Sequence, residues 1–131
     1  MALIPLNKFI TKTKIVPALP ASTATVTAYV APIGVTSIVL MAQVANTSTQ
    51  NTSVTLIHYR NRPVLADAQG NGAQSGKTET YLAKDFIIPP GDAASLLSGK
   101  LIVESLDSVK IYASNTNTCQ LTLSILETAN N

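Results

Sequence analysis

The sequence predicts an all-β protein, an antiparallel β-sandwich or jelly-roll-like barrel with one short helical turn, and three observations carry that reading. Eight short segments, rich in β-branched residues or alternating apolar with polar ones, are separated by turn signals. The composition is 46% hydrophobic but only 12% charged, so uncharged threonine, serine, asparagine and glutamine must cover much of the surface, as they do on exposed strands. Helix signals are confined to residues 92–99, a stretch that allows little more than one turn. At 131 residues the chain suits one core, burying about two thirds of its unfolded surface without metals or disulfides.

Residues 1–22 read as an extended N-terminal arm and residues 23–131 as a single sandwich domain. In the arm Pro5, Pro17 and Pro20 exclude a helix, and residues 8–16 alternate well enough for one strand. Lys8, Ile10, Lys12 and Lys14 share one side of that strand, and Phe9 and Ile15 share the other with threonines. Residues 23–30 (TATVTAYV) form a threonine-rich strand with Val26 and Ala28 opposite Thr25, Thr27 and Tyr29. Residues 35–46 (VTSIVLMAQVAN) form a long central strand flanked by Gly34 and Asn46. After a polar turn, residues 53–60 pair back as a hairpin, and the two strands are expected in the middle of one sheet.

Residues 61–77, with three glycines, make the longest flexible loop. Residues 78–88 are a strand stopped by Pro89 and Pro90, neither of which donates to a ladder. Gly91 frees the turn, Asp92 is placed as an N-cap, residues 93–98 give the helical turn with Leu96 and Leu97 as its plug, and Gly99 fits the left-handed position after it. Residues 101–104 and 108–113 make a second hairpin around Ser105, Leu106 and Asp107. Residues 120–127 (QLTLSILE) alternate Leu121, Leu123 and Ile125 with Thr122, Ser124 and Leu126, the cleanest half-buried strand in the chain.

The residues that could carry chemistry have structural explanations. His58 is the only histidine and lies mid-strand between Ile57 and Tyr59, where it reads as a structurally satisfied residue. Cys119 is the only cysteine, so no intrachain disulfide forms, and with His58 it supplies too few ligands for zinc. Asp85 ends a strand, Asp92 caps a turn, Glu104 and Asp107 bracket a hairpin turn, and Lys100 and Lys110 read as solvated strand lysines. GNGAQSGKT has the look of a phosphate loop, but the GxxxxGK[ST] spacing requires glycine where Asn71 stands, and a strand follows where a helix is needed. No enzymatic activity, cofactor or metal is expected.

A net charge of +2 and the absence of tryptophan argue against nucleic acid. The N-terminus lacks a signal-peptide pattern, and residues 30–45, broken by Pro32, Gly34 and Gln43, are too short to span a membrane. The candidate partner-binding residues are Lys8, Ile10, Lys12 and Lys14 on the arm, with Arg60 and Arg62 as a small basic spot beside His58. The lysines have two readings: protection of an exposed edge, or a docking arm laid along an acidic neighbour. On the second, deleting residues 1–16 leaves a folded domain that no longer joins its assembly.

Residues 84–127 run from aliphatic residues through PPGDAASLLSGKLIVE, a short turn and DSVKIYAS to a terminal QLTLSILE. With the opening MALIPLNKF and the VLMAQVAN strand, this pattern resembles the small β-rich structural proteins of tailed bacteriophages, especially those of marine cyanophages. The resemblance implies a virion component made in the host cytoplasm and present in many copies, with no active-site residues to transfer. The expected role is a capsid decoration or cement subunit that associates with itself, as a trimer, and docks on other virion proteins. One alternative is a tail, neck or baseplate component. Another is a carbohydrate-binding sandwich for host-surface recognition with its site in residues 61–77, a loop that has no aromatic ring to face a sugar.

Overall fold

Strands that follow one another in the sequence lie, with few exceptions, in opposite sheets. The computed structural model describes residues 7–18, 26–61, 65–66, 73–74, 78–115 and 118–129. They contain β1 (Asn7–Val16), β2 (Thr27–Val30), β3 (Val35–Asn46), β4 (Thr52–Arg60), β5 (Leu65–Ala66), β6 (Ala73–Gln74), β7 (Thr78–Ile88), β8 (Ala93–Ser95), β9 (Leu101–Val103), β10 (Ser108–Ala113) and β11 (Cys119–Ala129). One sheet is ordered β1-β11-β3-β8, with β9 also on β3; the other is ordered β2-β10-β4-β7; β5 and β6 pair by themselves. Because β8 and β9 occupy the same strand position along β3, the two orders interlock as the double Greek key of a jelly roll.

Period-2 patterning builds the core. On β11, Leu121, Leu123 and Ile125 are essentially inaccessible, whereas Thr122, Ser124 and Leu126 between them are half-buried. Val39, Ala42 and Val44 of β3 join them, facing Val54 and Leu56 of β4 and Val109, Ile111 and Ala113 of β10. A bulge makes the β3 contribution work: Ser124 pairs with Met41 and Ile125 with Val39, so Leu40 is an extra residue between them.

The structure departs from the sequence reading at the connections. β3 and β4 do not form a hairpin; each is central, but in a different sheet. At the end of β3 the buried Asn46 side chain donates from Nδ2 to the carbonyls of Gln50 (2.7 Å) and Ile88 (2.8 Å), and its Oδ1 accepts from the Ser48 amide and hydroxyl. These bonds turn the chain across the sandwich instead of back on itself. The second expected hairpin is also absent, because β9 lies on β3 while β10 sits between β2 and β4. The Glu104–Asp107 turn crosses between sheets, with Leu106 at φ 69° and the Asp107 amide bonded to the Glu104 carbonyl at 2.9 Å. Leu101, Val103, Val109, Ile111 and Ala113 therefore meet across the core, not side by side.

The helical turn is replaced by β8. A single turn leaves most of its backbone groups without partners, whereas the edge of β3 offers a ladder: Ala93–Ser95 pairs with Gln43–Ala45, and the Leu96 amide bonds to the Ala42 carbonyl at 2.9 Å. Asp92 still caps locally, accepting the Ala93 amide at 2.8 Å, and Leu96 is buried as a plug. Gly91 has φ 72°, but Gly99 does not take the left-handed conformation. Asp85 does not end a strand; it lies within β7 at an irregularity, at φ 52°, with its amide held by the Thr55 hydroxyl at 3.1 Å. In β2 a register shift turns Tyr29, expected opposite the apolar residues, into the core. The residues of the phosphate-loop lookalike, Gly70 to Gly72 and Ser75 to Lys77, lie outside the described residues.

Leu123→Ala is expected to lower unfolding free energy by about 2–5 kcal/mol through the cavity it leaves, measured by urea denaturation. Asn46→Ala, which strands the Ile88 carbonyl among buried groups, is expected to cost about 2–3 kcal/mol in the same measurement. Thr122→Ala, on the other face of β11, should stay within about 0.5 kcal/mol of the parent.

Candidate interaction surfaces

β1 is the edge of the five-stranded sheet and pairs with β11 along all ten of its residues. Lys8 sits opposite Glu127, Ile10 opposite Ile125, Lys12 opposite Leu123 and Lys14 opposite Leu121. Directly paired residues share a face, so the lysines lie on the core-facing side of the sheet, in line with the fully buried Val16. At this margin Lys8 and Lys12 remain exposed and Lys14 is half-buried. Charge pointed inward along an edge strand disfavours the addition of a further strand. The arm is not separate from the core here: Val16 closes against Cys119, and the Ala113 amide bonds to the Pro17 carbonyl at 2.8 Å.

Beside Lys12 a cleft of about 320 Å³ is lined by Tyr29 and Glu127. The buried Tyr29 hydroxyl donates to Glu127 Oε2 at 2.5 Å and lies 2.6 Å from Ser37 Oγ. A phenol has one proton, so Ser37 is the donor in the second bond. Tyr29 belongs to the four-stranded sheet and its partners to the five-stranded one, so the pair of bonds ties the layers together at the open margin. Burial, and then the Glu127 carboxylate that the phenol donates to, hold Tyr29 far above the ordinary tyrosine range.

The other basic group lies elsewhere. Arg60, exposed at the end of β4, lines a cleft of about 230 Å³ with His58, Ile102, Glu104 and Asp107. Ile102 is on β9, at the opposite margin of the five-stranded sheet from β1, so the arm lysines and Arg60 are not brought together. Arg62 lies outside the described residues. His58 pairs with Val109 and is half-buried. Cys119 pairs with Asn46 near the start of β4, and His58 lies six residues along that strand, roughly 20 Å away, so the two do not form a nucleophile and base. Burial also pushes the Cys119 thiol up. Among the described residues no group of three or more His, Cys, Asp or Glu side chains is placed to hold a metal ion.

Lys110 corrects the solvated reading. It is buried on the outer side of the four-stranded sheet, 3.4 Å from Glu79 Oε1 and 4.0 Å from the centre of the Tyr59 ring. An ion pair and a ring face together compensate for lost hydration. Lys100 is exposed. The surface that sequence reasoning missed is the outer face of the five-stranded sheet. Its signal was the grouping of Phe9 and Ile15 with threonines, opposite the lysines.

No protein-family model and no curated protein sequence matches the chain. Among solved structures, the fold is similar to a chain in the crystal structure of the T13 IBDV viral particle, an icosahedral virus, with a TM-score of 0.50 and 8% sequence identity. The similarity covers 96% of this chain and 32% of that one, so this chain spans about a third of its length. At that identity the likeness is one of fold.

Tyr29→Phe is expected to cost about 1–2 kcal/mol at neutral pH, by loss of the two cross-sheet bonds. Because the folded protein holds the phenol proton more tightly than the unfolded chain does, the stabilisation is complete below the usual tyrosine value of 10 and is lost as pH rises beyond it. Urea titrations between about pH 9 and 11.5 should show the parent losing stability more steeply than Tyr29→Phe. Parallel curves would contradict the assignment.

Proposed function

We propose that the protein is a virion structural subunit of a tailed bacteriophage, present in many copies as a capsid decoration or cement protein. The observation that carries this reading is a jelly-roll sandwich similar, over nearly its whole length, to a chain of an icosahedral viral particle. The pattern of residues 84–127 supports the narrower assignment to tailed phages. A tail, neck or baseplate position keeps the same chemistry and differs only in where the subunit docks. The carbohydrate reading is weaker, because Lys110 and Lys84 sit over the rings of Tyr59 and Tyr81, the two aromatics that flank residues 61–77.

Self-association is part of the proposal, and copy number is where its two sources diverge. The resemblance to phage structural proteins favours a trimer, whereas the chemistry of one sheet face favours pairs. Reconstruction and mass spectrometry of purified particles test the virion role. Symmetric density of this sandwich at stoichiometric occupancy is expected. Absence of the chain from purified particles, together with a monodisperse monomer at assembly-like concentration, would overturn it.

A further inference from the structure

We propose that the outer face of the five-stranded sheet is a self-interface, where two copies of this chain pack face to face about a two-fold axis. The proposal rests on the reading of the protein as a self-associating subunit and names the surface.

The register aligns an apolar row across that face. Phe9 of β1 pairs with Leu126 of β11, Leu126 with Ile38 of β3, and Ile38 with Ile102 of β9. The ends of the row are open to solvent, Phe9 at 74% and Ile102 at 58% exposure, and the middle is half-buried. The β3 bulge adds Leu40 and Met41 beside it. The rest of the face is Ile15, exposed further along β1, with threonine, serine, glutamine, asparagine and alanine. None of the chain's nine basic and seven acidic residues occupies an outward strand position of this sheet, because Lys8, Lys12, Lys14 and Glu127 all fall on the other side. An apolar row on a face with no charged strand position, and with Lys100 and Glu104 exposed only at the rim beside Ile102, is what interfaces place at their centre.

The occupant follows from charge and area. A charged partner surface laid here loses its hydration and gains no counter-charge. On the same molecule the other sheet presents the exposed Glu79 and, over the Tyr81 ring, the exposed Lys84, so head-to-tail stacking of one face on the other meets that penalty. The face matches itself. A two-fold axis in the interface plane, passing through the row, lays row on row with no like charges opposed. Four strand positions about 4.8 Å apart and ten residues at about 3.3 Å give roughly 600 Å² in projection, and the corrugated accessible surface is larger. That approaches the roughly 800 Å² per partner of a stable interface of standard size.

Sedimentation and light scattering on the full chain test it. The parent is expected at twice the 13.7 kDa chain mass. Phe9→Glu and Ile102→Glu, each on an exposed edge position, should weaken pairing at least about a hundredfold and yield folded monomers with unchanged circular dichroism. Ile87→Glu, equally exposed on the other sheet, should remain dimeric. If the parent is dimeric and both face variants stay so, the inference falls while self-association stands. A parent of three chain masses overturns the two-fold packing. A parent that is monomeric at every concentration overturns both the inference and self-association, leaving the virion role to be decided by particle composition.

Discussion

The buried carboxamide of Asn46 is the interaction on which the layered arrangement depends. In a jelly roll nearly every link between main strands crosses from one sheet to the other, and each crossing takes backbone amides and carbonyls past the end of any ladder. Asn46 meets that demand at the longest strand. Its side chain serves Gln50, Ile88 and Ser48, while its own amide donates to the Asp92 carbonyl and its carbonyl accepts the Gly91 amide. One residue thus fixes the end of β3, the start of β4 and the exit of β7. The neighbouring corner is joined in the same way, the Thr47 amide to the Thr118 carbonyl, and at the opposite end of β3 the Ala31 amide bonds to the Asp107 carbonyl. The core can then close between layers whose ends are already pinned.

This explains which parts of the fold were legible. β3 and β7 match the residues read from sequence, because alternation and β-branched content act locally. Partners were not legible. A polar stretch such as residues 47–51 has the same composition whether it folds a hairpin or carries the chain across a sandwich. What decides is the distant Ile88 carbonyl waiting for Asn46. The segment after Pro90 misleads for a related reason. Its capping aspartate and turn glycine act as their chemistry dictates, but the free edge of β3 outcompetes an isolated helical turn for the backbone groups between them.

The candidate surface was half legible. Spacing alone puts Lys8, Lys12 and Lys14 on one side of a strand and Phe9 and Ile15 on the other. Which side faces the core depends on the register with β11, and the structure gives the less intuitive answer: lysines inward at an open margin, phenylalanine outward. Lys110 shows the same limit, since only the neighbouring strands bring Glu79 and the Tyr59 ring to it.

Edge and face then divide the work of controlling association. A ten-residue edge strand with free backbone groups is a template for another chain, and inward lysines make lateral extension costly, since an added strand would draw them into a wider core. With growth along the edge disfavoured, apolar surface gains most by meeting face to face. The outer face with no charged strand position is where that gain is available, whereas the other sheet presents the exposed Glu79 and Lys84. On the proposed packing, contact through the same face of each copy closes on itself about the two-fold axis. The proposed pair is therefore finite, with the four-stranded sheets on its outside.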